Sequence, residues 1–132
     1  MDYKKYWNIG DSYYVSGDYN LAIKYLQKAY EIESKSECLN YIGCCYIKLN
    51  QLDKAFTIFE RLTKLESWER PWFNLGRIHL YKNELEDALK CFNRAIEISP
   101  SNGNCYFYLA LYHEKTNNIE EAIKLYKKSL SL

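Results

Sequence analysis

One spacing constrains this chain more than any other property. A small residue recurs at Gly10, Gly43, Gly76 and Ala110, and an alanine recurs at Ala22, Ala55, Ala88 and Ala122. Both series step by 33, 33 and 34 residues. Two columns in one register define four copies of a single unit: YWNIGDSYYVSGDYNLAIKYLQKA, LNYIGCCYIKLNQLDKAFTIFERL, WFNLGRIHLYKNELEDALKCFNRA and YFYLALYHEKTNNIEEAIKLYKKS. A period of this length marks a protein made by stacking supersecondary units, none of which buries its apolar face alone.

Each unit reads as two helices. Tyr6, Ile9, Gly10 and Tyr13 lie at i, i+3, i+4 and i+7, one face of an α-helix, and Ala22, Leu26 and Ala29 do the same for its partner. Between the two sits Gly17, with Asn50, Asn83 and Asn117 in the later units. Gly and Asn most readily take the left-handed conformation that ends a helix. Asp18 and Asn118 follow as expected N-caps of the second helix, and Pro100 stops the third unit. A glycine inside a helix costs ~1 kcal/mol against alanine. Its recurrence in register predicts a close helix crossing, with the Gly column meeting the Ala column.

These residues resemble the tetratricopeptide repeat. The third unit matches best, with Trp72, Leu75, Gly76, Ala88, Phe92, Ala95 and Pro100, and His79 where the family has Tyr. The first unit departs at Leu26 and Ser34, and the second at Leu39, Leu62 and Ser67. The fourth has Ala110, His113 and Ser129 and stops before its closing residues. The resemblance runs from Tyr3 to Leu132. It implies an all-α fold, a right-handed α-solenoid of four helix-turn-helix repeats over about 3–35, 36–68, 69–102 and 103–132. Its 132 residues suit one domain over 1–132.

Composition narrows the function. A net charge of +1 provides no global field for nucleic acid or an anionic membrane. No run approaches the ~18 apolar residues of a membrane helix, and the amino-terminal stretch lacks an apolar core of signal-peptide length. Five cysteines are an odd number and no export signal accompanies them, so a reducing cytoplasm is expected. No pair of them has the spacing of a zinc site. His79 and His113 share a column with Tyr13 and Tyr46, which makes them core-facing replacements for Tyr. The glycines form no phosphate-cradling loop, and Glu120 and Glu121 open a helix, where they favour its dipole. No catalytic residue, cofactor or metal is expected.

What remains is binding. The resemblance implies a concave groove lined by the first helices, filled by a peptide segment of a partner. Its stripes are Trp7, Asp11 and Tyr14; Asn40, Cys44 and Ile47; Phe73, Arg77 and Leu80; and Phe107, Leu111 and Glu114. Trp7, Phe73 and Phe107 are expected to stand exposed as anchors. Arg70, Asn74 and Arg77, at i, i+4 and i+7, are candidates to grip a carboxylate together with Asn40 and Lys48. Some family members clamp the acidic tail of heat-shock chaperones, and that clamp is not reproduced in either frame: Trp7, Asp11, Tyr41, Arg70 and Asn74, or Asn40, Cys44, Asn74, Asn104 and Tyr108.

The two ends differ. Columns expected to touch a preceding unit read Lys5, Cys38, Pro71, Cys105 and Ser12, Cys45, Ile78, Tyr112, so the first unit is polar there. The last helix carries Ile123, Tyr126, Leu130 and Leu132 where earlier units meet the next one. A longer parent protein, self-association into a homo-oligomer, and a frayed last turn are all open. The alternative function is therefore a self-assembling structural subunit.

Overall fold

The computed structural model describes residues 2–65 and 67–132. Among them are eight α-helices: α1 (Tyr3–Val15), α2 (Tyr19–Ile32), α3 (Ser36–Lys48), α4 (Leu52–Leu65), α5 (Glu69–Tyr81), α6 (Leu85–Ile98), α7 (Gly103–Lys115) and α8 (Ile119–Ser131). Each sequence repeat supplies one helix pair, and no strand occurs among the described residues. None of these helices is long and apolar enough to cross a membrane. The chain forms two compact units, Met1–Leu62 and Thr63–Leu132, divided in the last turn of α4.

The helix crossing is close, and bulky side chains of the second helix fill the space beside each glycine. A Cβ built on Gly10 would lie 2.8 Å from Leu26 Cγ, on Gly43 2.6 Å from Phe59 Cζ, and on Gly76 2.5 Å from Phe92 Cε1. The atoms nearest to each glycine therefore belong to the residue one turn beyond the alanine column. The reason is reach: the longer side chain extends across to occupy the volume the missing methyl leaves. Leu26, Phe59 and Phe92 are each 0% exposed. In the fourth repeat Ala110 carries its methyl, and Tyr126, in the matching column, is only half-buried.

All four turns close alike. Gly17, Asn50, Asn83 and Asn117 have φ of 84°, 58°, 62° and 66°, as expected. In the first, Gly17 N–H donates to Tyr14 O and Asp18 N–H to Tyr13 O, at 3.1 and 2.9 Å. The same pair recurs after α3, α5 and α7, which is the Schellman pattern that satisfies the last helix carbonyls. This closure overturns the capping role expected of Asp18 and Asn118. Both hold the N-cap position, yet neither side chain makes the cap bond. Their backbones already finish the preceding helix with ψ of 75° and 74°, outside the extended region from which an N-cap side chain folds back. Asp2 and Asn102, which have extended backbones, do cap: Lys5 N–H and Asn104 N–H donate to them, each at 2.9 Å.

The inter-helix columns hold small apolar groups where expected. Cys38, Cys45 and Cys105 are fully buried, while Lys5 and Ser12 are exposed. Cys38 Sγ–H donates to Leu26 O at 2.9 Å, tying α3 to α2. Burial pushes the Cys38 thiol up to about 11, and those of Cys45, Cys91 and Cys105 up to about 12. These thiols are packing groups, protonated at neutral pH. One contact had no sequence signal: Ser129 Oγ donates to Gly103 O at 2.8 Å, and a Cβ on Gly103 would meet Ser129 O at 2.8 Å. The start of α7 thus lies against the end of α8.

This packing has two measurable consequences. Gly43→Ala should cost about 1–3 kcal/mol by overpacking, against the ~1 kcal/mol that alanine gains in helix propensity. Adding Phe59→Leu should recover part of that loss, read as non-additivity in denaturant unfolding; strictly additive effects would exclude Phe59 as the group that needs the glycine. The second concerns pH. The buried thiols titrate above the ~8.5 of an unfolded cysteine. Their contribution to stability is therefore complete below that value and is lost as pH rises through the folded values, near 11 and 12. Urea midpoints should fall across this window, and less steeply in Cys45→Val; parallel slopes would show that this thiol does not contribute.

Candidate functional site

In the first unit one tyrosine gathers the predicted stripe. Tyr41 on α3 packs against Trp7 and Tyr14 of α1, with ring centroids 5.0 and 4.9 Å apart. Its phenol donates to Asp11 Oδ1 at 3.0 Å. Tyr3 stacks on Trp7 at 6.1 Å, and Tyr14 meets the edge of Tyr19 at 5.6 Å. Trp7, Asp11 and Tyr14 do form one face, because i, i+4 and i+7 align on a helix. They are half-buried. The next stripe behaves differently. Asn40 and Ile47 are buried, at 6% and 7% exposure, and only Cys44 is half-exposed.

The second unit repeats the relation with different chemistry. Tyr108 on α7 stacks on Phe73 of α5 at 5.5 Å and on Phe92 of α6 at 6.2 Å. Arg77 holds the helix position that Asp11 holds in the first unit, and its guanidinium lies 4.9 Å from the centre of the Tyr108 ring. Arg77 Nη1 also donates to Asn74 Oδ1 at 3.0 Å. A tyrosine one repeat on is therefore held by a carboxylate at its hydroxyl in one unit and by a cation at its ring face in the other.

This geometry corrects two expectations. Phe73 is not an exposed anchor: it is 6% exposed and belongs to the core around Phe92 and Tyr106. Leu80 is likewise buried. Nor do Arg70, Asn74 and Arg77 present one open polar cluster. Asn74 and Arg77 are buried and bonded to each other, whereas Arg70 is exposed and lies 6.0 Å from the Trp68 ring. Arg77 is buried, with Nη1 on Asn74 and its guanidinium against the Tyr108 ring, so it is not part of an open grip for a carboxylate.

Of the aromatic column, Phe107 is the exposed member, at 40%. It meets Tyr108 edge-on at 5.3 Å and Tyr126 at 5.7 Å. Farther along the same helix, Leu111, Glu114 and Lys115 line a depression of about 360 Å³ with Leu80 and Tyr81 of α5. Lys115 Nζ donates to Leu80 O at 2.9 Å, a second bond to a carbonyl that already accepts from Asn83 N–H. Tyr126 Oη donates to Glu114 Oε1 at 2.9 Å, and burial together with this carboxylate pushes the phenol up to about 12. Tyr126 thus folds back toward α7 and is not presented outward with Ile123 and Leu130, which are 48% and 89% exposed. His79 is largely covered, with Nδ1 3.1 Å from Glu84 Oε1, and His113 lies edge-on to Tyr112 at 5.1 Å.

Tyr41 and Tyr108 carry these faces, and sequence reading assigned them no role there. A signal existed: their column reads Asn8, Tyr41, Asn74, Tyr108, an alternation with a period of two repeats.

Comparison with known proteins agrees with this architecture. Two family models described as tetratricopeptide repeat match residues 70–102 and 91–124. A third, described as anaphase-promoting complex, cyclosome, subunit 3, matches residues 2–62. The BBSome complex member BBS4 of Bos taurus is 29% identical over 114 residues, which cover 80% of this chain and 22% of that protein. The anaphase-promoting complex subunit CDC16 of Saccharomyces cerevisiae is 29% identical over 133 residues, covering 94% of this chain and 16% of that protein. The chain spans about a fifth of the length of the first curated relatives it matches. Among solved structures, the thermophilic TPR protein TTC0263 of Thermus thermophilus superposes with a TM-score of 0.90. It is 19% identical and aligns over 98% of this chain and 74% of its own. With four in-register helix pairs, glycine crossings and these matches together, the chain is a member of the tetratricopeptide repeat family.

Proposed function

We propose that this chain is a non-catalytic interaction module that holds a segment of a partner protein on the faces formed by its first helices. One observation carries the reading. In each unit the first helices gather aromatic rings around a single tyrosine, and part of that aromatic surface stays open to solvent, most of all at Phe107. Rigid, partly exposed rings supply contact area at low entropic cost and are enriched among binding hot spots. In the first unit the contacts would come from Trp7, Asp11 and Tyr14, and in the second from Phe107, Leu111 and Glu114. Similarity to subunits of two named complexes, the BBSome and the anaphase-promoting complex, supports a scaffold role in general. A reducing cytoplasm belongs to the same proposal, because four of the five thiols serve as buried packing groups.

A second reading rests on α8. Ile119, Ile123, Leu130 and Leu132 are 47–89% exposed, whereas Ile23, the equivalent of Ile123 in the first repeat, is 8% exposed. An apolar stripe of this kind favours association of copies through α8.

The two readings separate in one experiment. Wild type, Trp7→Ala/Phe107→Ala and Ile123→Lys/Leu130→Glu should be immobilised in parallel against a lysate of the source organism, after circular dichroism confirms their folds. The first-helix variant should lose a partner at least about tenfold, the scale of a hot-spot loss, while its mass in solution stays that of wild type. Retention of every protein by that variant would remove the support for first-helix binding. If the α8 variant alone lowers the mass in solution, self-association is the function of that surface.

A further inference from the structure

Three of the four repeats place an aromatic side chain early in the first helix: Tyr6, Trp72 and Tyr106. The second repeat has Leu39 there. Tyr106 shows what the ring does in the second unit. It is 6% exposed, its phenol donates to Pro100 O at 2.8 Å, and Lys128 Nζ lies 4.6 Å from the ring centre.

Leucine fills less of the equivalent volume, and a depression of about 260 Å³ opens beside Leu39. Ile42 and Tyr46 of α3 continue its lining, with Tyr30 of α2 and Ile58 of α4. Pockets that enclose whole small molecules run to roughly 300–1,000 Å³, so the size suits a single side chain. The lining is apolar except for Gln27 and Glu31, and Glu31 is its charged member. Lysines nearby in sequence are directed at rings: Lys54 at Tyr46, 5.6 Å, and Lys28 at Tyr6 and Tyr25, 5.6 and 5.4 Å. The charge presented by the depression itself is therefore negative.

We propose that this depression is a docking pocket for a tyrosine side chain of a protein partner, flanked by a basic residue that faces Glu31. The occupant follows from the repeat itself: the pocket is the volume left where the other three repeats carry a ring, and its carboxylate complements a cation. A phenol hydroxyl would find acceptors in Gln27 Oε1 and Glu31, as Tyr106 finds Pro100 O. The pocket uses none of the residues proposed to bind a partner on the first helices, so it stands or falls independently of that reading.

The test is an amide NMR titration of the full chain with p-cresol, then with the dipeptides Ac-Tyr-Lys-NH2 and Ac-Tyr-Glu-NH2. p-Cresol should shift the amides of Ile42, Tyr46 and Ile58, with a Kd on the order of millimolar for so small a ligand. Leu39→Tyr supplies the missing ring in place and should weaken p-cresol binding at least tenfold. The basic dipeptide should bind about threefold more tightly than the acidic one, as expected of an exposed charge pair, and Glu31→Gln should erase that difference. Shifts elsewhere only, or equal binding of p-cresol to Leu39→Tyr, would overturn the pocket. Equal affinities for the two dipeptides in wild type would overturn the basic flank. Should Leu39→Tyr not fold, Ile58→Phe narrows the pocket from α4, and unchanged p-cresol affinity in that variant would also overturn it.

Discussion

The pairing of a missing methyl on one helix with a bulky side chain on the next underlies the rest of this structure. Where Gly43 faces Phe59 and Gly76 faces Phe92, ring atoms occupy space that any Cβ would claim. The glycine is unfavourable for its own helix, by ~1 kcal/mol against alanine. A fully buried aromatic side chain offsets that cost, since burying one contributes roughly 1.5–3 kcal/mol. A sequence that repeats this pairing repeats the helix pair, as the first three repeats do. The fourth repeat shows the limit of the rule. Ala110 carries a methyl, Tyr126 is only half-buried, and its hydroxyl turns to Glu114.

Turn chemistry then sets the direction of each second helix. A left-handed residue at the end of the first helix lets two backbone N–H groups close on the helix just finished. That closure leaves the following residue at an N-cap position with the wrong backbone angle to use its side chain. Asp18, Glu84 and Asn118 thus serve the helix behind them. The same principle explains why Asp2 and Asn102 do cap: each precedes its helix with an extended backbone.

Within each unit the neighbouring first helices meet through a tyrosine. Tyr41 and Tyr108 play one structural part, but Asp11 takes the hydroxyl of the first and Arg77 the face of the second. Equivalent positions of opposite charge make the two units chemically unlike while their backbones follow one plan. That difference is how a repeat protein gains distinct surfaces without a change of fold. The depression beside Leu39 arises in the same way, through one substitution in a column that is otherwise aromatic.

The number of repeats, the helix pairs, the left-handed turns and the buried cysteine columns were all legible in the residue order. Each depends on local backbone preference or on a side chain whose face is set by helical periodicity alone. The stripe of Trp7, Asp11 and Tyr14 was legible for the same reason, since one helix carries all three. Three features waited for the tertiary structure: that glycine meets the residue one turn past the alanine, that Phe73 and Arg77 turn inward, and that Tyr41 and Tyr108 gather each face. Periodicity states which residues share a helix face. It does not state how far a neighbouring side chain reaches, and contacts between separate helices are decided by that reach.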